Sequence, residues 1–93
     1  MTISIIKQNE DVFTVKVTND VSTSHTVTIT NQSLTDLTDN NVTKTRLLEF
    51  SFKFLLEREP NTSILSSFDI NVISKYFSEY GDKVRRWCDE SQN

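Results

Sequence analysis

The sequence predicts an α+β fold, in which a three-stranded antiparallel meander is followed by two main helices. Three observations predict it. Apolar and polar residues alternate with period two through much of the first thirty residues. Apolar residues recur at helical spacing after Asn31. Eight of the nine aromatic residues lie between Phe50 and Trp87, so the helical half has to supply most of the core.

Three strands are predicted, over about 2–7, 12–18 and 23–30. In the second strand, three apolar residues alternate with Thr14, Lys16 and Thr18, which is the pattern of a half-buried strand. The polar segment 8–11 is short and favours an antiparallel turn. One face of the sheet should be rich in threonine and serine, and the other should present Ile3, Ile5, Phe13, Val15, Val17, Val27 and Ile29.

Two helices are predicted in the middle of the chain, a short one near 33–38 and a main one over about 44–58. Thr43 has the position of an N-cap for the main helix, with Val42 and Leu47 placed for a hydrophobic staple. Pro60 ends this helix, since proline drives the preceding residue out of the helical region. Its apolar residues cover roughly 240° of the helical wheel, so it should be covered on more than one side.

A second main helix is predicted over about 70–88, with Asp69 as its N-cap. Gly81 resembles a C-terminal stop. The apolar residues after this glycine keep the helical phase of those before it, and this favours a helix that continues through it. The length allows one domain, 1–93, and residues 90–93 are expected to form a disordered tail.

Composition limits the possible functions. The net charge of -3 gives no basic field of the kind that nucleic-acid binders carry. The sequence has no apolar run long enough to cross a membrane and no signal-peptide pattern, so a cytoplasmic location is expected. One cysteine and one histidine within the chain cannot make a disulfide or a Cys/His zinc site.

Catalysis is not expected from this composition. A nucleophile paired with a base, a glycine-rich phosphate loop and a metal cluster cannot be assembled from one histidine, one cysteine and one glycine. The sequence therefore predicts a protein that is not an enzyme, with no cofactor, no metal and no inferable small-molecule ligand.

Part of the sequence resembles a signature that recurs in a family of small bacterial proteins. The matching segments are SFKFLLEREPNTSIL (51–65), FDI (68–70) and VISKYFSEY (72–80), preceded by SHTVT (24–28). The resemblance covers most of residues 12–80 and implies one intact domain, with no activity attached. Members often have proline at the position of Ser78, where it would break the last helix. This chain has serine there, which does not require a break.

His25 and Cys88 are the two residues most often associated with chemistry. His25 falls on the apolar face of its strand with only serine and threonine nearby, which favours a structural ring that hydrogen-bonds at the end of the sheet over a general base. Basic neighbours of Cys88 would lower its pKa. The alternative, which the pattern favours, is a small apolar residue that closes the stripe of its helix.

One basic and aromatic cluster is a possible partner-binding site, formed by Lys83, Arg85, Arg86 and Trp87. Acidic neighbours nearly neutralise it, so a solvated helix end with Trp87 packed inward is the simpler interpretation. The leading hypothesis is a small non-catalytic protein-interaction module, acting as a homodimer or as a subunit of a larger complex. The alternative is a nucleic-acid-associated regulator or an antitoxin-like protein that uses the basic residues of this cluster.

Overall fold

A computed structural model describes residues 2–91. Its elements follow the chain as β1 (Thr2–Lys7), β2 (Val12–Thr18), β3 (Ser22–Thr28), α1 (Asn31–Thr38), α2 (Lys44–Leu56), a 3-10 turn (Asn61–Ser63), β4 (Ser67–Asp69), α3 (Val72–Tyr76) and α4 (Tyr80–Ser91). The α+β fold is confirmed. The expected disordered tail starts within α4, which includes Glu90 and Ser91, and residues 92–93 lie outside the described residues.

The first three strands form the predicted antiparallel meander, within a four-stranded sheet of order β1-β2-β3-β4. The third strand ends at Thr28 rather than near 30. The fourth strand was not predicted. It lies parallel to β3, with Val27 opposite Phe68, and Ile70 N–H donates to the Thr28 carbonyl at 2.9 Å. A strand of three residues is too short for alternation to be visible in the sequence.

The apolar face of the sheet carries the core, as predicted. Phe13, Val15 and Val17 are buried, while Ile3 and Ile5 at the β1 edge are only partly buried against the same cluster. The opposite face presents mainly threonine and serine, because the residues that alternate with the buried ones point away from the helices. The helices therefore cover one side of the sheet only.

Two threonines begin the first two helices. The Thr30 side chain accepts a hydrogen bond from Ser33 N–H, so α1 starts at Asn31, two residues before the predicted short helix. Thr43 accepts from Arg46 N–H at 3.2 Å, which confirms it as the N-cap of α2. The α2 helix ends at Leu56, shortly before the predicted end at 58.

The predicted helix over 70–88 is wrong, because the chain breaks it into α3 and α4. The break lies at Phe77, whose φ of -130° and ψ of 93° are extended, and not at Gly81, which lies inside α4. Asp69 does not cap a helix. Its carboxylate accepts from Asn71 N–H at 2.8 Å and so shapes the turn that leads into α3.

Proline at position 78 should be compatible with this break. Phe77 already lies outside the helical region, which proline disfavours for the residue before it, so Ser78→Pro should leave the free energy of unfolding unchanged or raise it by up to about 1 kcal/mol. Lys83→Pro is the control, because Lys83 N–H donates to the Glu79 carbonyl at 3.0 Å and proline there should cost about 3 kcal/mol. Urea denaturation measures both. A loss near 3 kcal/mol for Ser78→Pro would contradict the described break.

Candidate functional site

Four large hydrophobic side chains are exposed among the described residues: Ile6, Val21, Leu65 and Tyr76. None of them lies on α2, although that helix has the widest apolar arc in the sequence. Part of this apolar arc packs against aromatic residues from the C-terminal half of the chain. Phe50 stacks on Trp87, with ring centroids 4.6 Å apart and planes 16° apart, and Phe54 makes edge contacts with Phe77 and Tyr80.

An open groove of about 300 Å³ lies beside α3. We call it the α3 groove, and it is lined by Leu55, Glu59, Ser63, Ile64, Leu65, Phe68, Val72, Ile73, Tyr76 and Phe77. Its floor is apolar, since Leu55, Ile64 and Ile73 belong to the buried core. Its rim is exposed, because Tyr76 keeps 69% and Leu65 keeps 46% of the accessible surface. An accessible aromatic ring beside an apolar floor is typical of a binding surface.

Among the described residues that line the α3 groove, Glu59 is the single charged one. It is half-buried, and although its N–H donates to the Leu55 carbonyl at 2.9 Å, its carboxylate makes no hydrogen bond or ion pair with another described residue. Rings and an unpaired carboxylate together suit an apolar group that carries a positive charge at one end. The groove can therefore accept a partner's apolar side chain next to a lysine or an arginine.

The sequence did not predict this groove, because Tyr76 has the helical phase of the core residues. In a continuous helix, Tyr76 and Tyr80 would lie on the same side. The break at Phe77 separates them, so that Tyr80 is fully buried and Tyr76 is exposed.

The structure brings together half of the predicted partner-binding cluster. Lys83 and Trp87, four residues apart on α4, line a second cleft of about 340 Å³ with Phe50, Lys53, Phe54, Glu57 and Arg58. Arg85 and Arg86 are exposed and do not line this cleft. We call it the Trp87 cleft. Three cations and one carboxylate give it a positive balance.

Arg58 is held in place on the wall of the Trp87 cleft. Its guanidinium carbon lies 3.6 Å from the centroid of the Phe54 ring, and Nη1 donates to the Phe54 carbonyl at 2.9 Å. Nη1 also lies 3.7 Å from the Glu57 carboxylate. Stacking and pairing of this kind stabilise the end of α2. Lys53 and Lys83 are the cations of this cleft that have no such contact among the described residues.

His25 is buried in a chain of hydrogen bonds, consistent with the structural interpretation. Nδ1 lies 2.7 Å from the Leu65 carbonyl, which can only accept, so Nδ1 is assigned the hydrogen. Nε2 then accepts from the Thr23 hydroxyl at 2.8 Å. Thr23 in turn accepts from Asn61 Nδ2 at 3.0 Å. The chain of bonds fastens the segment after α2 to the first half of β3.

Cys88 is buried, and its pKa moves in the direction opposite to the one its basic neighbours would cause. Burial raises the pKa of the thiol, and the nearby Asp89 and Asp39 raise it further. A raised pKa leaves little thiolate at neutral pH, and the thiolate is the reactive form. Cys88 therefore closes the buried stripe of α4 with Tyr80 and Val84.

Comparisons with protein-family models, curated proteins and solved structures gave no match. Within residues 2–91, no helix is long and apolar enough to cross a membrane. The same described part of the chain contains no group of three or more His, Cys, Asp or Glu side chains placed to hold a metal ion.

Proposed function

We propose that this protein is a small non-catalytic protein-interaction module, a homodimer or a subunit of a larger complex, that binds a partner protein through the α3 groove. The observation that carries the proposal is the 69% exposure of Tyr76 on the rim of an apolar groove. Exposed aromatic rings next to apolar pockets are frequent anchors of protein interfaces. The open shape of the groove suits an inserted side chain.

The partner's contacting segment should pair an apolar residue with a basic one. The apolar residue fills the floor formed by Leu55, Ile64 and Ile73, and the basic group approaches the Glu59 carboxylate. Excluding water from a half-buried carboxylate is costly unless a cation pairs with it. A partner protein that supplies a cation at this place is therefore favoured over one that does not.

A non-catalytic role is supported by the state of the groups that usually perform chemistry. Both ring nitrogens of His25 are engaged in internal hydrogen bonds. Cys88 is buried with a raised pKa. Ser51 is fully buried, and its hydroxyl donates to the Leu47 carbonyl at 2.6 Å. None of these three groups is free to act on a substrate.

Affinity capture from the native host tests the groove. Tyr76→Ser removes the exposed ring, and Val21→Ser is the matched control, because Val21 is an exposed apolar residue outside the groove. We expect wild type and Val21→Ser to retain the same polypeptide and Tyr76→Ser to retain at least about ten-fold less, as for a central anchor. Equal retention by Tyr76→Ser, with its folding verified by circular dichroism, would contradict the groove proposal.

The Trp87 cleft supports a second candidate, the nucleic-acid-associated regulator. Lys53 and Lys83 flank an aromatic wall of Phe50 and Trp87, and basic groups beside rings are the means by which single strands are held. The net charge of -3 and the separate placement of Arg85 and Arg86 favour the protein partner. Nuclease treatment during the same capture distinguishes the two, since a retained polypeptide bridged by nucleic acid would be lost.

A further inference from the structure

The two edges of the sheet differ in how well they are protected. At one edge, β4 has only three residues and includes Asp69. At the other, β1 has six residues and pairs with β2 on one side only. A long, open edge is a template for another strand, and natural proteins usually blunt it with charges, proline or short length. The one charge in β1 is Lys7, at its end.

Hydrogen bonds on the two sides of β2 fix which backbone groups of β1 are open. Gln8 N–H donates to the Val12 carbonyl at 2.9 Å, and the antiparallel register extends that pairing to even-numbered residues of β1. On the far side of β2, Ile29 N–H donates to the Asp11 carbonyl, so odd-numbered residues of β2 face β3. By the same alternation, Ile3, Ile5 and Lys7 direct N–H and C=O away from the sheet.

The side chains of β1 leave apolar surface at this edge. Ile3 and Ile5 are only partly buried on the face that the helices cover. Ile6 is 43% exposed on the opposite face. An added strand with apolar residues at matching positions would extend the core beyond β1, and it would pair the open backbone groups.

We infer that β1 pairs antiparallel with β1 of a second copy, which deepens the homodimer part of the proposed function and rests on it. The register places Ile3 opposite the second copy's Ile5, and Ser4 on the two-fold axis opposite its own equivalent. The open odd-numbered groups of both strands then bond to each other. Lys7 lies outside this paired segment, so the two lysines do not meet and neither opposes an isoleucine. Shifting the register by two residues would place Lys7 opposite Ile3, which disfavours it.

Charged substitutions at Ser4 test whether this residue lies on the two-fold axis of a dimer. In a pair that does not exchange hydrogen bonds, the two Cα atoms at position 4 lie about 4.5 Å apart, so S4E or S4K places like charges side by side. Ser24 provides the matched control, because it is also exposed, points to the same face and lies beside the same Lys16. The variants are S4E, S4K, S24E and S24K, each measured by size-exclusion chromatography with light scattering over a range of concentrations.

The expected result has three parts. Wild type and both Ser24 variants reach twice the chain mass of 10.8 kDa as concentration rises. S4E and S4K each stay at the monomer mass, and an equimolar mixture of the two regains the dimer. The inference is overturned if wild type is monomeric at every concentration, if either Ser4 variant dimerises as wild type does, or if the mixture stays monomeric. The capture experiment at Tyr76 is independent of these masses, so failure of this inference leaves the α3 groove proposal standing.

Discussion

Replacing Tyr80 with alanine is expected to lower the free energy of unfolding by about 3 to 5 kcal/mol. Tyr80 is among the largest fully buried side chains of the described residues, and it lies where α4 meets α2. Its ring centroid is 5.3 Å from that of Phe54 in an edge contact. Alanine would leave a cavity among residues that secondary structure holds in place, so the surroundings can collapse only in part.

Tyr80→Phe separates the ring from the hydroxyl. Since the Ser51 hydroxyl already donates to the Leu47 carbonyl, the Tyr80 hydroxyl is the donor in its 2.5 Å bond to Ser51. Losing that one bond should cost about 0.5 to 1.5 kcal/mol. Urea denaturation measures both variants. Equal losses for phenylalanine and alanine, or a loss under about 1 kcal/mol for alanine, would contradict the packing described.

The Tyr80 hydroxyl also makes the free energy of unfolding depend on pH, and Tyr80→Phe removes this dependence. Burial raises the pKa of Tyr80 above its ordinary value of 10.0. A raised pKa in the folded state means that the unfolded chain releases the proton first, so this contribution to stability is complete below pH 10.0 and decreases as pH rises above it. Wild type should therefore lose stability faster than Tyr80→Phe in that alkaline range. Equal losses of stability with pH in wild type and Tyr80→Phe would contradict the raised pKa of Tyr80.

Replacing His25 with alanine is expected to cost about 2 to 4 kcal/mol. The ring is buried, lies 5.4 Å from Phe52 between centroids, and bonds to both Thr23 and Leu65. Alanine removes the packing and also breaks the link between β3 and the segment after α2. The loss of two hydrogen bonds adds to the cavity.

Thr23→Val is the matched control for His25, because it removes one hydroxyl with little change of shape. It should cost about 1 to 3 kcal/mol, since Nε2 of His25 and Nδ2 of Asn61 both lose a partner there. Urea denaturation again gives the free energies. A change within about 0.5 kcal/mol for His25→Ala would show that the ring is not part of the stabilising core.

The sequence was sufficient where one pattern extends over several residues. Period-two alternation gave the first three strands, and Thr43 with its apolar neighbours gave the start of α2. It was insufficient where a short segment depends on tertiary contacts. The three residues of β4 form a strand because β3 offers an open edge, and the sequence contains no trace of that pairing.

The candidate site shows the same limit. Lys83 and Trp87 are four residues apart, so any helix brings them together, and the structure does so. The α3 groove depends on the break at Phe77, which turns Tyr76 outward while Tyr80 stays in the core. Periodicity continues through the break and so conceals it. The helical periodicity therefore could not reveal the α3 groove, which exists because the helix is broken.

Site-specific photo-crosslinking at position 76 tests whether the α3 groove binds a partner protein. A photoreactive phenylalanine derivative replaces Tyr76 in the native host, and the same derivative at Val21 is the control for exposure outside the groove. We expect a discrete adduct with one polypeptide at position 76 and none of that mass at position 21. Absence of an adduct at position 76, or the same adducts at both positions, would contradict it.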